Sequence, residues 1–190
     1  MKKILAILAL SLYFITPSQA NDIRDFEIEG ISIGDSALDY FSEKNILREF
    51  ETGKDEYKWT DQKFADVYKY GGTDLYDKIV VAVKRKDKNY IIYSVTGQID
   101  YKNINDCFKK QKEIEDEFSS SLSNTKKKKW VQKHPQDKTG KSRIHRVLFE
   151  FNDGAKIEAI CSDIAKHMNQ PSGLDVGIVS AEYRNWLNSF

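Results

Sequence analysis

The chain has 190 residues, 30 lysines and arginines against 29 acids, a formal net charge of +1 and two cysteines. That length supports one domain with a real core. No apolar run after residue 20 approaches the roughly 20 residues of a membrane-spanning helix, which argues against such a helix in the remainder of the chain.

Residues 1–20 form a basic start at Lys2-Lys3, an apolar run from Ile4 to Ile15, and a Thr16-Pro17-Ser18-Gln19-Ala20 end. This order predicts a secretory signal cleaved after Ala20: the apolar run enters the translocon as a helix, Pro17 breaks it, and Ser18 and Ala20 fit the small pockets of a signal peptidase. An uncleaved anchor is the alternative, but 12 apolar residues fall short of about 20. No cysteine follows the run, which argues against a lipid anchor. The Lys- and Asn-rich composition points to a bacterial periplasm. Loss of Lys2 and Lys3 takes the net charge to −1, and residues 21–190 are expected to form a single soluble domain.

Residues 25–33 alternate at Phe26, Ile28, Ile31 and Ile33, a strand whose register changes at Gly30, read as a bulge. Asp35 or Ser36 caps a short helix from Ala37 to Phe41, with Leu38 and Phe41 on one side. Ser42 caps a second, Glu43 to Phe50, with Ile46, Leu47 and Phe50 facing in, and Gly53 ends it. Residues 54–63 are irregular around Trp59. Phe64 to Tyr70 is a weak strand. Lys78 to Lys86 and Asn89 to Tyr101 are strong ones, joined by a tight turn at Asp87-Lys88. Apolar side chains on both faces of the first (Ile79, Val81, Val83; Val80, Ala82) place it inside a sheet.

From Asn103 to Leu122 the period becomes helical. Ile104, Cys107, Phe108, Ile114, Phe118 and Leu122 share one stripe opposite a charged side. Residues 142–161 read as a hairpin around Asn152-Asp153-Gly154. A three-residue loop with left-handed Gly154 pairs Phe151 with Ala155, Phe149 with Ile157, Val147 with Ala159 and His145 with Cys161. Pro171-Ser172-Gly173 is a loop, Leu174 to Val179 a strand, and Ala181 to Asn188 a helix carrying Tyr183, Trp186 and Leu187. Runs of strands between isolated helices predict an α+β fold: a mainly antiparallel sheet against one long helix (103–122) and short helices, arranged as two helix-plus-strands units.

Cys107 and Cys161 form an even pair in a chain expected to be exported, which predicts a disulfide. Two buried thiols or a metal pair are the alternatives. The histidines His134, His145 and His167 stand in no metal-binding spacing. His145 beside Cys161 suggests a Cys–His nucleophile only if Cys161 is free; His134 and His167 read as solvent-facing. There is no Gly-x-Ser-x-Gly elbow or phosphate loop, so no catalytic residue, metal or cofactor is assigned. Charge is segregated: residues 126–146 hold Lys126, Lys127, Lys128, Lys129, Lys133, Lys138, Lys141, Arg143 and Arg146 against Asp137 alone, while residues 21–61 hold twelve acids against five bases. The basic segment is a candidate contact for an envelope protein or an anionic envelope component such as lipid headgroups or lipopolysaccharide. The plainer reading is a solvated loop, or two opposite segments facing each other. Nucleic acid is not an expected partner of an exported protein.

The stretch Ile28-Glu29-Gly30-Ile31-Ser32-Ile33-Gly34-Asp35-Ser36-Ala37-Leu38-Asp39-Tyr40-Phe41 resembles the start of a family of small secreted proteins from SAR11-type marine alphaproteobacteria. Val95-Thr96-Gly97-Gln98-Ile99-Asp100-Tyr101 with Cys107, and Cys161-Ser162-Asp163, are similar too. The resemblance implies no activity and no site residues. The strand–Ile-Gly–helix opening also resembles outer-membrane assembly lipoproteins of the SmpA/BamE type and β-lactamase-inhibitor-like domains, which implies short helices on an antiparallel sheet and a surface that binds other proteins. The expected function is a periplasmic, non-enzymatic binding protein. Alternatives are a hydrolase or small-ligand enzyme with a site near His145, and a small-molecule carrier with an apolar cavity lined from Val83, Ile92 and Phe118.

Overall fold

The computed structural model describes residues 22–53 and 57–190. The leader expected over 1–20 lies outside them. Two short strands, β1 (Glu27–Ile28) and β2 (Ile31–Ser32), open the chain and are followed by helix α1 (Glu43–Thr52). Strands β3 (Phe64–Tyr70), β4 (Lys78–Lys84) and β5 (Ile92–Tyr101) come next, then α2 (Ile104–Ser121). Strands β6 (Lys126–Lys133), β7 (Arg143–Glu150), β8 (Lys156–Asp163) and β9 (Ser172–Val179) precede the last helix, α3 (Ala181–Leu187). The fold is α+β. Strands β3 to β9 form one seven-stranded sheet in the order β3-β4-β5-β9-β8-β7-β6, with every neighbouring pair antiparallel. Each three-strand meander follows a helix, and β9 returns to join the two meanders between β5 and β8.

Residue chemistry accounts for the helix boundaries. Ser42, Asn103 and Ser180 cap α1, α2 and α3, each side chain accepting from a backbone N–H of the first turn, which satisfies a donor the helix cannot pair internally. Gly53 closes α1. The β7–β8 hairpin has the expected register, with Phe149 opposite Ile157, Val147 opposite Ala159 and His145 opposite Cys161. Gly154 sits at φ 92, and the Phe151 N–H donates to the Ala155 carbonyl.

One face of the sheet is covered by α1, α2 and the β1–β2 hairpin. Ile79, Val81, Val83, Ile92, Val95 and Val147 lie in that core, each fully buried. Cys107 on α2 is bonded to Cys161 on β8, with Cα atoms 6.0 Å apart. The bridge encloses 54 residues of separation; on the chain-entropy model it stabilises the fold by about 4 kcal/mol. Two polar residues join the inner face of α2. Gln111 Nε2 donates to the carbonyls of His145 and Ala159 at 2.9 Å each, and Glu115 accepts from Lys127 and Lys129 at 3.3 and 2.8 Å.

Several expectations need correction. Gly30 is not a bulge: Glu29 and Gly30, with φ of 53 and 74, make the two-residue turn that pairs Ile28 with Ile31, and two successive left-handed residues match the twist of a tight hairpin. Residues 126–133 are not a loop but the edge strand β6, every residue of which is exposed. The β4–β5 connection is wider than Asp87-Lys88. Asp87 organises it, accepting from the N–H groups of Asn89 and Ile91. Leu38 and Leu47 point outward, and the segment around Leu38 is a single 3-10 turn. Strand β9 starts two residues early, at Ser172.

Candidate functional site

The second face of the sheet is covered at one end only. There Tyr183 and Trp186 of α3 pack on Phe64, Ala82 and Val179. Tyr57 ties this corner together, donating to Asp66 at 2.8 Å and meeting the Tyr183 hydroxyl at 2.7 Å. Burial is the chief reason its phenol is pushed far above the usual range, with the Asp66 charge adding to it. Trp186 Nε1 donates to Asp61 at 2.6 Å, and Arg184 donates to Glu150 at 2.8 Å.

Beyond α3 the face is open. The strand register sets one side chain per strand in a single transverse row: Tyr70, Lys78, Gln98, Asp175, Ile160, Arg146 and Trp130, each the direct partner of the next. An aromatic ring ends the row on each side. Tyr70 is 71% exposed and Trp130 38%. Lys78 Nζ lies 5.3 Å from the Tyr68 ring centre and 5.8 Å from that of Tyr70, and the Arg146 guanidinium is 6.0 Å from the Trp130 ring. Gln98 stands opposite Asp175 across β5 and β9 and favours the charged form of its carboxyl. Arg146 and Lys156 reach Glu158 at 3.3 and 2.9 Å. Burial pushes the Asp175 carboxyl above its ordinary value, although the Gln98 hydrogen bond and the Lys78 charge pull the other way.

Five of the row's residues line a shallow trough of three depressions, about 270, 290 and 210 Å³, of which the first shares Lys78 and Gln98 with the second and Lys156 and Glu158 with the third; Tyr70 and Ile160 line none of them. Its floor is low along β9 because Gly177 brings no side chain; a Cβ there would stand 3.1 Å from Thr96 Oγ1. The trough combines aromatic faces with planar hydrogen-bonding groups of both polarities. It suits recognition of an extended polar ligand.

The sequence-derived candidates fall elsewhere. His145 points to the opposite face, its ring 4.6 Å from that of Phe108, and Cys161 beside it is bonded to Cys107, so no thiol is present for a Cys–His pair. His134 is half-buried at one end of the trough near Ser162 and Asp175, not solvent-facing. His167 is exposed, with Nε2 3.1 Å from Asp137 Oδ1. Burial alone would raise the Asp137 carboxyl, but hydrogen bonds from Thr139 and Ser142 outweigh it and hold the group well below the usual carboxylate range. Asp137 braces the β6–β7 connection.

Of the nine basic residues in 126–146, Lys127 and Lys129 pair with Glu115, Lys128 with Glu150 and Arg146 with Glu158. These partners lie on α2, β7 and β8, so the basic segment does not face the acidic residues 21–61 through them. Arg143 donates to the Gly140 carbonyl. Lys126, Lys133, Lys138 and Lys141 are exposed.

An apolar cleft of about 350 Å³ lies between α2 and the sheet, lined by Phe26, Ile28, Tyr76, Ile114 and Phe118 among others. The carrier reading placed Val83 and Ile92 in such a space, yet both are fully buried in the core and only Phe118 reaches it. Its floor residues Leu174, Val176 and Ile178 are 1%, 7% and 3% exposed. Around that floor Phe26, Ile99, Ile114 and Phe118 are half-buried and Leu75 is 68% exposed, so the cleft keeps apolar surface at its rim.

The architecture is that of an α+β domain with one sheet face packed and the other open for contact. Comparison with protein-family models, with curated proteins and with solved structures finds no match for the chain.

Proposed function

We propose that the protein is exported, loses its leader after Ala20, and acts in the periplasm or outside the cell as a non-enzymatic binding protein, with the open sheet face as its contact surface. The Cys107–Cys161 bridge supports the compartment, since such bonds persist where the surroundings are oxidising. The observation that carries the reading is the transverse row. Seven register partners span the sheet from ring to ring, and nothing in the fold requires exposed rings at both of its edges. The envelope partner is expected at this face rather than at the lysine run, because Lys127, Lys128 and Lys129 are already engaged by the protein's own carboxylates.

Site-specific photo-crosslinking in the producing cells tests this. A benzophenone side chain at position 70 or 130 should trap the same envelope species, and one at the exposed position 112 on α2 should trap none. Equal labelling from all three positions, or from position 112 alone, would remove the sheet face as the contact surface.

A further inference from the structure

We propose that the ligand of the open face is an uncharged, linear oligosaccharide laid across the strands. This rests on the reading of that face as the contact surface and names its ligand class.

The first support is spacing. Six inter-strand steps of about 4.8 Å set the two end rings, Tyr70 and Trp130, about 29 Å apart along the sheet. That is a length for an extended chain, not for a compact small molecule. The second is the kind of group between the rings. Gln98 offers a donor and an acceptor, Asp175 accepts, and Arg146 donates in a planar fork. A sugar unit presents a rim of hydroxyls, each able to donate and accept, and a flat patch of C–H groups. The hydroxyls match the central groups, and the C–H patch matches the electron-rich face of a tyrosine or tryptophan ring.

The third support is charge. Across the three depressions Lys78, Arg146, Lys156 and Arg184 stand against Asp66, Asp100, Glu158 and Asp175, so the trough is balanced. A polyanion or a nucleic-acid strand is drawn by a groove of net positive charge, which this balance denies. A protein partner fits poorly as well. Protein interfaces concentrate apolar anchors at the centre and charge at the rim. Here the order is inverted: the exposed apolar groups are the end rings, and Ile160 at the centre is only 9% exposed.

The test is a calorimetric titration of the purified, oxidised chain. The probes are linear hexasaccharides of β-1,4-linked glucose, α-1,4-linked glucose and β-1,4-linked N-acetylglucosamine, with hexaglutamate and a single-stranded oligonucleotide alongside. Binding of at least one neutral hexasaccharide is expected, more weakly as its disaccharide. Its affinity should move less than about twofold between about 0.05 and 0.5 M salt, because no net charge is neutralised. Trp130→Ala and Tyr70→Ala should each weaken it about tenfold, and Lys112→Ala should not. Circular dichroism and melting curves of the two ring variants separate lost contact from lost fold. If no neutral hexasaccharide binds at millimolar concentration, or if only hexaglutamate or the oligonucleotide binds with a steep salt dependence, the glycan assignment is wrong. Crosslinks at positions 70 and 130 in that case would leave the sheet face as the contact surface and overturn the ligand class alone.

Discussion

Gln111 shows how one polar side chain on an apolar stripe is fixed by its partners. It is 5% exposed and its amide serves two strand carbonyls, those of His145 and Ala159. Gln111→Ala should destabilise the fold by about 1–3 kcal/mol, since both acceptors lose a buried donor; urea unfolding with an unchanged m-value is the check. Glu150 behaves differently. Lys128 first, then Arg184, hold its carboxyl down to about 2. A depressed carboxylate adds stability that is complete above its unfolded value of about 4.3 and disappears as pH falls towards 2. Glu150→Gln should therefore flatten the fall in stability across that window and leave its slope at neutral pH unaltered, as melting temperatures from pH 7 to pH 2 would reveal. The roles of Gln111 and of Glu115 were not legible beforehand. Helical spacing puts both near the apolar stripe, but Gln111 bonds to carbonyls 34 and 48 residues away and Glu115 to lysines 12 and 14 residues away, on other elements.

At the scale of elements, legibility followed local pattern. The β7–β8 hairpin could be read to the residue because period-2 alternation on both arms and one glycine able to take a positive φ admit a single register. Strand β6 was hidden. Four successive lysines have no apolar alternation to read, and their partners Glu115 and Glu150 belong to α2 and β7. The lysines also suit an edge strand, whose free backbone would otherwise invite another chain. Replacing Lys127 and Lys129 with valine keeps the strand propensity and removes that protection. The double variant should self-associate at concentrations where the parent does not, which light scattering would measure; a monodisperse variant would assign the lysines no such role. The open face was only half legible. Thr96 and Gln98 on β5 and Asp175 on β9 alternate with apolar neighbours, which marks a solvated face. Their alignment into one row depends on β9 entering between β5 and β8, a long-range pairing that no local pattern specifies.

For the whole molecule, α2 acts as the strut of the packed face. The disulfide fixes it to β8, and Gln111 and Glu115 fix its next two turns to β7–β8 and to β6. Reduction should lower the unfolding free energy by about 4 kcal/mol on the chain-entropy model, with the seven-stranded sheet otherwise retained; equilibrium unfolding with and without reductant tests this. A strut confined to one face leaves the other free for contact except where α3 sits. The claim on which the functional account depends is that recognition happens on that free face and not in the apolar cleft beneath α2. An amide NMR titration of the labelled protein with soluble envelope extract discriminates directly. The account expects shift changes at Tyr70, Gln98, Asp175, Arg146 and Trp130. Changes confined to Ile28, Ile114 and Phe118, with the row unmoved, would contradict it.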